Sequence, residues 1–140
     1  MRDQVACDVL VAGSGAGAFS AAITARHHGL DVLMVEKAPL FGGTTCYSAG
    51  VIWIPASAQA KAAGTQDSPA EALRYLESIA GNRLDRARAE AFLATGPEML
   101  AFLEANTPVR YGLVPTWADY EPELPGGSNG GRSLAPDVFD

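Results

Sequence analysis

One stretch constrains this chain more than any other. Val9, Leu10 and Val11 form a short apolar run, Gly13-Ser14-Gly15-Ala16-Gly17-Ala18 follows almost at once, and a second apolar run, Val32 to Val35, ends on Glu36 and Lys37. A continuous apolar run broken by a glycine suits a strand of a parallel sheet covered on both faces. From Ala16 to His28 the pattern turns helical: Ala18, Ala21, Ala22 and Ala25 line one side, Phe19 and Ile23 add bulk, and Gly29 supplies the stop. The expected unit is strand, glycine turn, helix, strand.

The turn matches GxGxxG/A, with a strand before it and a helix after it. Gly13 permits the tight turn, Gly15 lets a pyrophosphate approach the backbone, and the small Ala18 lets helix and strand pack closely. The helix start offers free N–H groups and a partial positive charge, so Ser14, Ala16 and Gly17 join the candidate site through backbone alone. Glu36 lies roughly 20 residues beyond, where a carboxylate accepts from ribose hydroxyls and disfavours a phosphorylated ribose. A lone glycine motif could be only a tight connection, with Glu36 a solvated acid. The coincidence of strand, turn, helix, strand and acid argues instead for a Rossmann-like dinucleotide cradle in an α/β fold.

A length of 140 residues fits one domain-sized core. Net charge is −6 and the basic residues are scattered, which makes nucleic acid a poor partner. The apolar runs are too short for a membrane span or a signal-peptide core, so a cytoplasmic protein is expected. Cys7 and Cys46 have neither CxxC nor metal-type spacing, and His27 and His28 sit side by side; no disulfide or metal site is expected, and the cysteines read as small buried hydrophobes.

Beyond Lys37 the texture becomes a loop of small and polar residues with a short apolar element at Val51 to Ile54. Ser68-Pro69-Ala70-Glu71 is a helix start with a capping serine, and Gly81 is its stop. Asp85 begins a second helix through Phe92 and Leu93, and Thr95-Gly96-Pro97-Glu98 begins a third, ending before Asn106. A strand is expected within Val109 to Val114, followed by a Pro- and Gly-rich stretch unsuited to helices. The expected division is 1–56, the nucleotide unit and its loop, and 57–140, a helical segment with a loop region belonging to a larger domain.

Gly42-Gly43-Thr44-Thr45 is a second glycine pair with hydroxyls, reached directly after Glu36-Lys37, where the chain can return along the pyrophosphate. Here the sequence resembles the flavoprotein family that includes fumarate reductase, succinate dehydrogenase and the 3-ketosteroid dehydrogenases, which implies FAD. "FGGTTCYSAGVIWIP", "DSPAEALRYL", "PEMLAFLE", "ADYEPELPGG" and "GRSLAPDVFD" resemble the 3-ketosteroid Δ1-dehydrogenases in order and spacing, over nearly the whole chain and as the amino-terminal portion of a longer one.

That resemblance implies a C1–C2 dehydrogenation of a 3-ketosteroid, with FAD accepting hydride. Lys37, Thr44, Thr45, Ser48, Ala49 and Gly50 would join Gly13 to Ala18, Glu36, Gly42 and Gly43 around the cofactor. Tyr120 matches a tyrosine beside the general base, and Trp117 and Val51 match positions facing the steroid; on spacing alone, Trp117 and Tyr120 could equally be packing anchors of a Pro-rich loop. Ser48-Ala49-Gly50 and Val51 depart from the commoner family order, which leaves substrate preference open. Arg132 in "GGRS" is read either as a carboxylate binder, as in fumarate reductases, or as a structural pin that pairs with an acid, and it is taken as structural. The main catalytic tyrosine and the donors to the 3-keto oxygen lie in later parts of the family's chains, so the expectation is a fragment or subunit inactive alone, completed by the remainder of the enzyme or a partner chain. The alternatives are a Δ4-type ketosteroid dehydrogenase, a fumarate-reductase-like flavoprotein, or a non-catalytic FAD- or ADP-binding module.

Overall fold

The computed structural model describes residues 4–138 and divides into two compact units, Met1–Gly50 and Val51–Asp140.

In the first unit, β1 (Val9–Ala12) and β2 (Val32–Val35) pair in parallel, with Val9 opposite Val32 and Ala12 opposite Val35, and α1 (Ala16–His27) connects them. The start of each strand is tied to the other: Asp8 N–H donates to Asp31 O at 2.9 Å, and Asp31 N–H returns a bond to the Asp8 carboxylate at 2.8 Å. Gly29, at φ +80°, closes the helix by donating to Arg26 O at 2.9 Å. The strand run does not have both faces covered, contrary to the sequence expectation. Val11 is buried under 8% exposure, whereas Leu10 on the opposite face is 60% exposed and Val35 is 43% exposed. Strand alternation sends successive side chains to opposite faces, and one helix can shield only one of them. Cys46 is also not a buried hydrophobe: it is exposed, and its thiol donates to Gly43 O at 3.0 Å; Cys7 is half-buried.

In the second unit, β3 (Ile52–Trp53), β4 (Tyr111–Leu113) and β5 (Ser133–Pro136) form an antiparallel sheet with β5 central. Its core is Ile54, Leu100 and Leu134, flanked by Ile52, Tyr111 and Leu113. The short helix α2 (Ala58–Ala62) was not anticipated; its start is capped by the Ser57 hydroxyl, which accepts from Ala60 N–H at 3.1 Å. For α3 (Pro69–Ala80), Ser68 accepts from Glu71 N–H at 3.2 Å and Pro69 opens the first turn.

The two helices expected on either side of Thr95-Gly96-Pro97 are one, α4 (Arg86–Asn106), with Pro97 inside it. An internal proline forfeits a backbone hydrogen bond and costs about 3 kcal/mol, so burial must offset it. Leu93, Gly96 and Leu100 are all buried, and a Cβ added at Gly96 would lie 3.3 Å from Ile54 Cδ1. Gly96 is therefore a point of close packing and not a stop signal. β5 was also unforeseen within the Pro- and Gly-rich stretch: its central place comes from partners far along the chain, Ile52 opposite Leu134 and Tyr111 opposite Pro136. Among the described residues no helix is long and apolar enough to cross a membrane.

Candidate functional site

The first unit folds its two glycine pairs against each other. Gly13, at φ +102°, turns the chain out of β1 while its N–H donates to Val35 O at 2.7 Å. Gly15 is the N-cap of α1 in an extended conformation with no side-chain cap, and the first turn carries no acid. An uncapped helix start of this kind attracts an anion. Gly42 and Gly43 adopt φ +116° and +56°, and a Cβ at Gly43 would stand 3.3 Å from Gly15 Cα. Thr45 Oγ1 accepts from Ala16 N–H at 3.1 Å, joining the Gly43–Tyr47 3-10 turn to the helix start and using one of the N–H groups expected to face phosphate. Ser48 works within the turn: its hydroxyl donates to Thr45 O at 2.8 Å and accepts from Gly50 N–H at 3.0 Å.

Ser14 and Glu36 are joined directly. The buried Ser14 hydroxyl donates to Glu36 Oε2 at 2.5 Å and accepts from Gly42 N–H at 2.8 Å, while Ala38 N–H holds Glu36 Oε1 at 2.9 Å. These bonds, that from Ser14 foremost, hold the Glu36 carboxyl below the ordinary carboxylate range. Each carboxylate oxygen keeps acceptor capacity for a ribose hydroxyl. Apart from adjoining backbone, nothing lies within 4 Å of where a Cβ would stand at Gly13 or Gly17, so the space a side chain would fill there is open. The residues present thus fit a dinucleotide: an open glycine turn, a helix start whose N-cap glycine offers no side-chain acceptor, and an oriented acid. Gly13 to Ala18, Glu36, Lys37, Gly42 to Thr45 and Ser48 to Gly50 all belong to this unit.

Val51, Trp117 and Tyr120 belong to the second unit. Val51 is half-buried, Trp117 is 49% exposed and Tyr120 is 100% exposed, so Tyr120 is no packing anchor. Its two chain neighbours are held tightly. Asp119 Oδ1 accepts from Trp53 Nε1 at 2.7 Å, Asp119 Oδ2 accepts from Arg132 at 2.7 Å and from Ser128 N–H at 3.0 Å, and Glu121 N–H donates to the Tyr75 hydroxyl at 3.2 Å. Arg132, fully buried, also makes a two-pronged bond to Asp67 at 2.7 and 3.1 Å and lies over the rings of Trp53 and Tyr75. Burial alone would lower its pKa; the hydrogen bonds and charge of Asp67, then the charge and bond of Asp119, raise it instead. Arg132 pins a loop, as its sequence setting suggested, but its acids were not foreseen. Asp67 precedes a helix cap and Asp119 sits in an aromatic loop, and no spacing rule links either to Arg132.

Residues 8–136 of the chain match a family model described as FAD binding domain. The chain belongs to the FAD-binding domain family. Over 133 residues it is 46% identical to the 3-oxosteroid 1-dehydrogenase of Mycobacterium tuberculosis (strain ATCC 25618 / H37Rv), a match covering 95% of this chain and 24% of that protein. It is 40% identical to the 4-oxocyclohexanecarboxylate 2-dehydrogenase of Sinomonas cyclohexanicum, over 94% of this chain and 23% of the relative. The solved 3-ketosteroid delta1-dehydrogenase from Sterolibacterium denitrificans, in complex with 1,4-androstadiene-3,17-dione, superposes with a TM-score of 0.88 at 40% identity, covering 96% of this chain and 24% of that one. The chain thus spans about a quarter of the length of these relatives.

Proposed function

We propose that this chain is the FAD-holding and substrate-facing part of a dehydrogenase that introduces the C1–C2 double bond into 3-ketosteroids. The observation that carries the reading is the cradle formed by Gly13 to Ala18, Glu36 and Gly42 to Thr45, in a chain 46% identical to a 3-oxosteroid 1-dehydrogenase. When bound, FAD supplies the acceptor for the hydride leaving the steroid. In this assignment the helix start binds the pyrophosphate, Glu36 orients the adenosine ribose, and the Gly42-to-Gly50 loop lines the path toward the flavin. Tyr120, projecting from a backbone held on both sides, donates toward the general base and stabilises its ionised form. Trp117 and Val51 contribute apolar surface to the steroid pocket.

Carbonyl polarisation is a large share of the catalytic effect in such chemistry, and its donors would come from polypeptide beyond these residues. The exposed face of Leu10 and Val35 is where such polypeptide would pack. We place the assembled enzyme in the cytoplasm. The first test is the absorption spectrum of the purified chain after addition of FAD and desalting. Retained flavin bands are expected, and Gly15→Val should abolish them by filling the phosphate approach; normal flavin content in that variant would refute the cradle. Anaerobic bleaching of the flavin by a 3-ketosteroid, in the chain joined to its completing polypeptide, tests the substrate. Bound flavin that no steroid reduces would favour a non-catalytic module.

A further inference from the structure

We propose that Ser14 is a positioning residue of the dinucleotide site: its hydroxyl aims Glu36 and holds the Gly42-Gly43 turn against the Gly13 turn, without itself touching the cofactor. The inference rests on the FAD reading above and specifies how that cradle is held in shape. A serine hydroxyl has one proton to give. Here that proton is committed to Glu36 Oε2 at 2.5 Å, and the oxygen accepts from Gly42 N–H at 2.8 Å. With 1% exposure, the residue is closed off by the protein itself. Three separate pieces of chain therefore meet at one hydroxyl: the first glycine turn, the end of β2 and the second glycine turn.

The consequence is orientation. Glu36 is held at both oxygens, by Ser14 on one and by Ala38 N–H at 2.9 Å on the other, so its carboxylate plane cannot swing freely. Bonds to an ionised acceptor are short and roughly twice as strong as neutral ones, and linked bonds polarise one another. Alanine at position 14 would release one side of Glu36 and leave Gly42 N–H without its acceptor. A second bond, Ala16 N–H to Thr45 Oγ1 at 3.1 Å, still ties the two turns, so the fold should survive while the acid loses its aim.

The test is a double-mutant cycle in the chain joined to its completing polypeptide, with ADP and FAD as ligands, titrated by calorimetry and by flavin fluorescence. Ser14→Ala should weaken ADP binding about tenfold, the loss expected for one hydrogen bond to a charged group. In the Glu36→Ala background the same change should cost no more than about twofold, because residues acting through one another do not add. A merely structural role would lower the thermal midpoint and carry its full binding loss into that background. Additive losses, or unchanged ADP affinity in Ser14→Ala, would overturn the proposal. Ser14→Cys keeps the shape with a weak donor and should fall between serine and alanine, which preserves the test if the alanine variant folds poorly. A completed wild-type protein that binds neither ADP nor FAD would instead overturn the FAD reading.

Discussion

Replacing Arg132 with alanine removes the cation that lies between two buried carboxylates. The side chains of Asp67 and Asp119 are 3% and 2% exposed, so neither can turn to water for compensation. Asp119 would keep the bonds from Trp53 Nε1 and Ser128 N–H, but Asp67 would be left with the 3.3 Å bond from Ala56 N–H among those described. Gly126 O would lose its 2.9 Å donor at the same time. Breaking a buried ion pair from one side costs about 3–5 kcal/mol, because the remaining charge stays desolvated. A unit the size of Val51–Asp140 has about 5–13 kcal/mol of stability in total, so the substitution removes about a quarter of it or more. With a urea dependence of about 1–3 kcal/mol per molar, the unfolding midpoint should fall by about 1 M or more. Trp53, packed beside Arg132 at 5.6 Å, reports the transition by fluorescence. Arg132→Lys keeps the charge but not the fork that grips Asp67, and should recover only part of the loss. An unchanged midpoint for Arg132→Ala, or full recovery by lysine, would refute the reasoning.

Tyr120→Phe should leave the unfolding midpoint of the chain unaltered, within about 0.5 kcal/mol, because the side chain is fully exposed; in the assembled enzyme it should lower turnover of a 3-ketosteroid far more than flavin content. Unaltered turnover would remove Tyr120 from the catalytic group. The pH dependence of ADP binding tests Glu36. Its folded-state carboxyl titrates lower than the free side chain, chiefly through Ser14, so its contribution is present at neutral pH and is lost as pH falls through that lowered value. Ser14→Ala should move this acid limb to higher pH, and Glu36→Gln should abolish it; a limb that persists in Glu36→Gln would assign it to another group.

Most of the cradle was legible in the sequence because its logic is local. Gly13 must turn the chain directly after β1, Gly15 must open α1, and Glu36 must end β2, all within one strand–helix–strand unit. The helix start at Ser68-Pro69 was legible for the same reason. The break expected at Gly96-Pro97 was misread because local propensity spoke against a helix while packing against Ile54 favoured one, and the packing prevailed.

By itself, then, the sequence determined the glycine turn, its flanking strands and the acid that follows the second strand, since each is set by neighbours within one or two turns of chain. Only the tertiary structure decided how Ser14 reaches Gly42, how Arg132 reaches back 65 residues to Asp67 while it holds Asp119, and why Tyr120 stands exposed between two anchored neighbours. Those contacts join segments with no shared periodicity, and a long-range hydrogen bond leaves no mark on the residues that make it until the chain has folded.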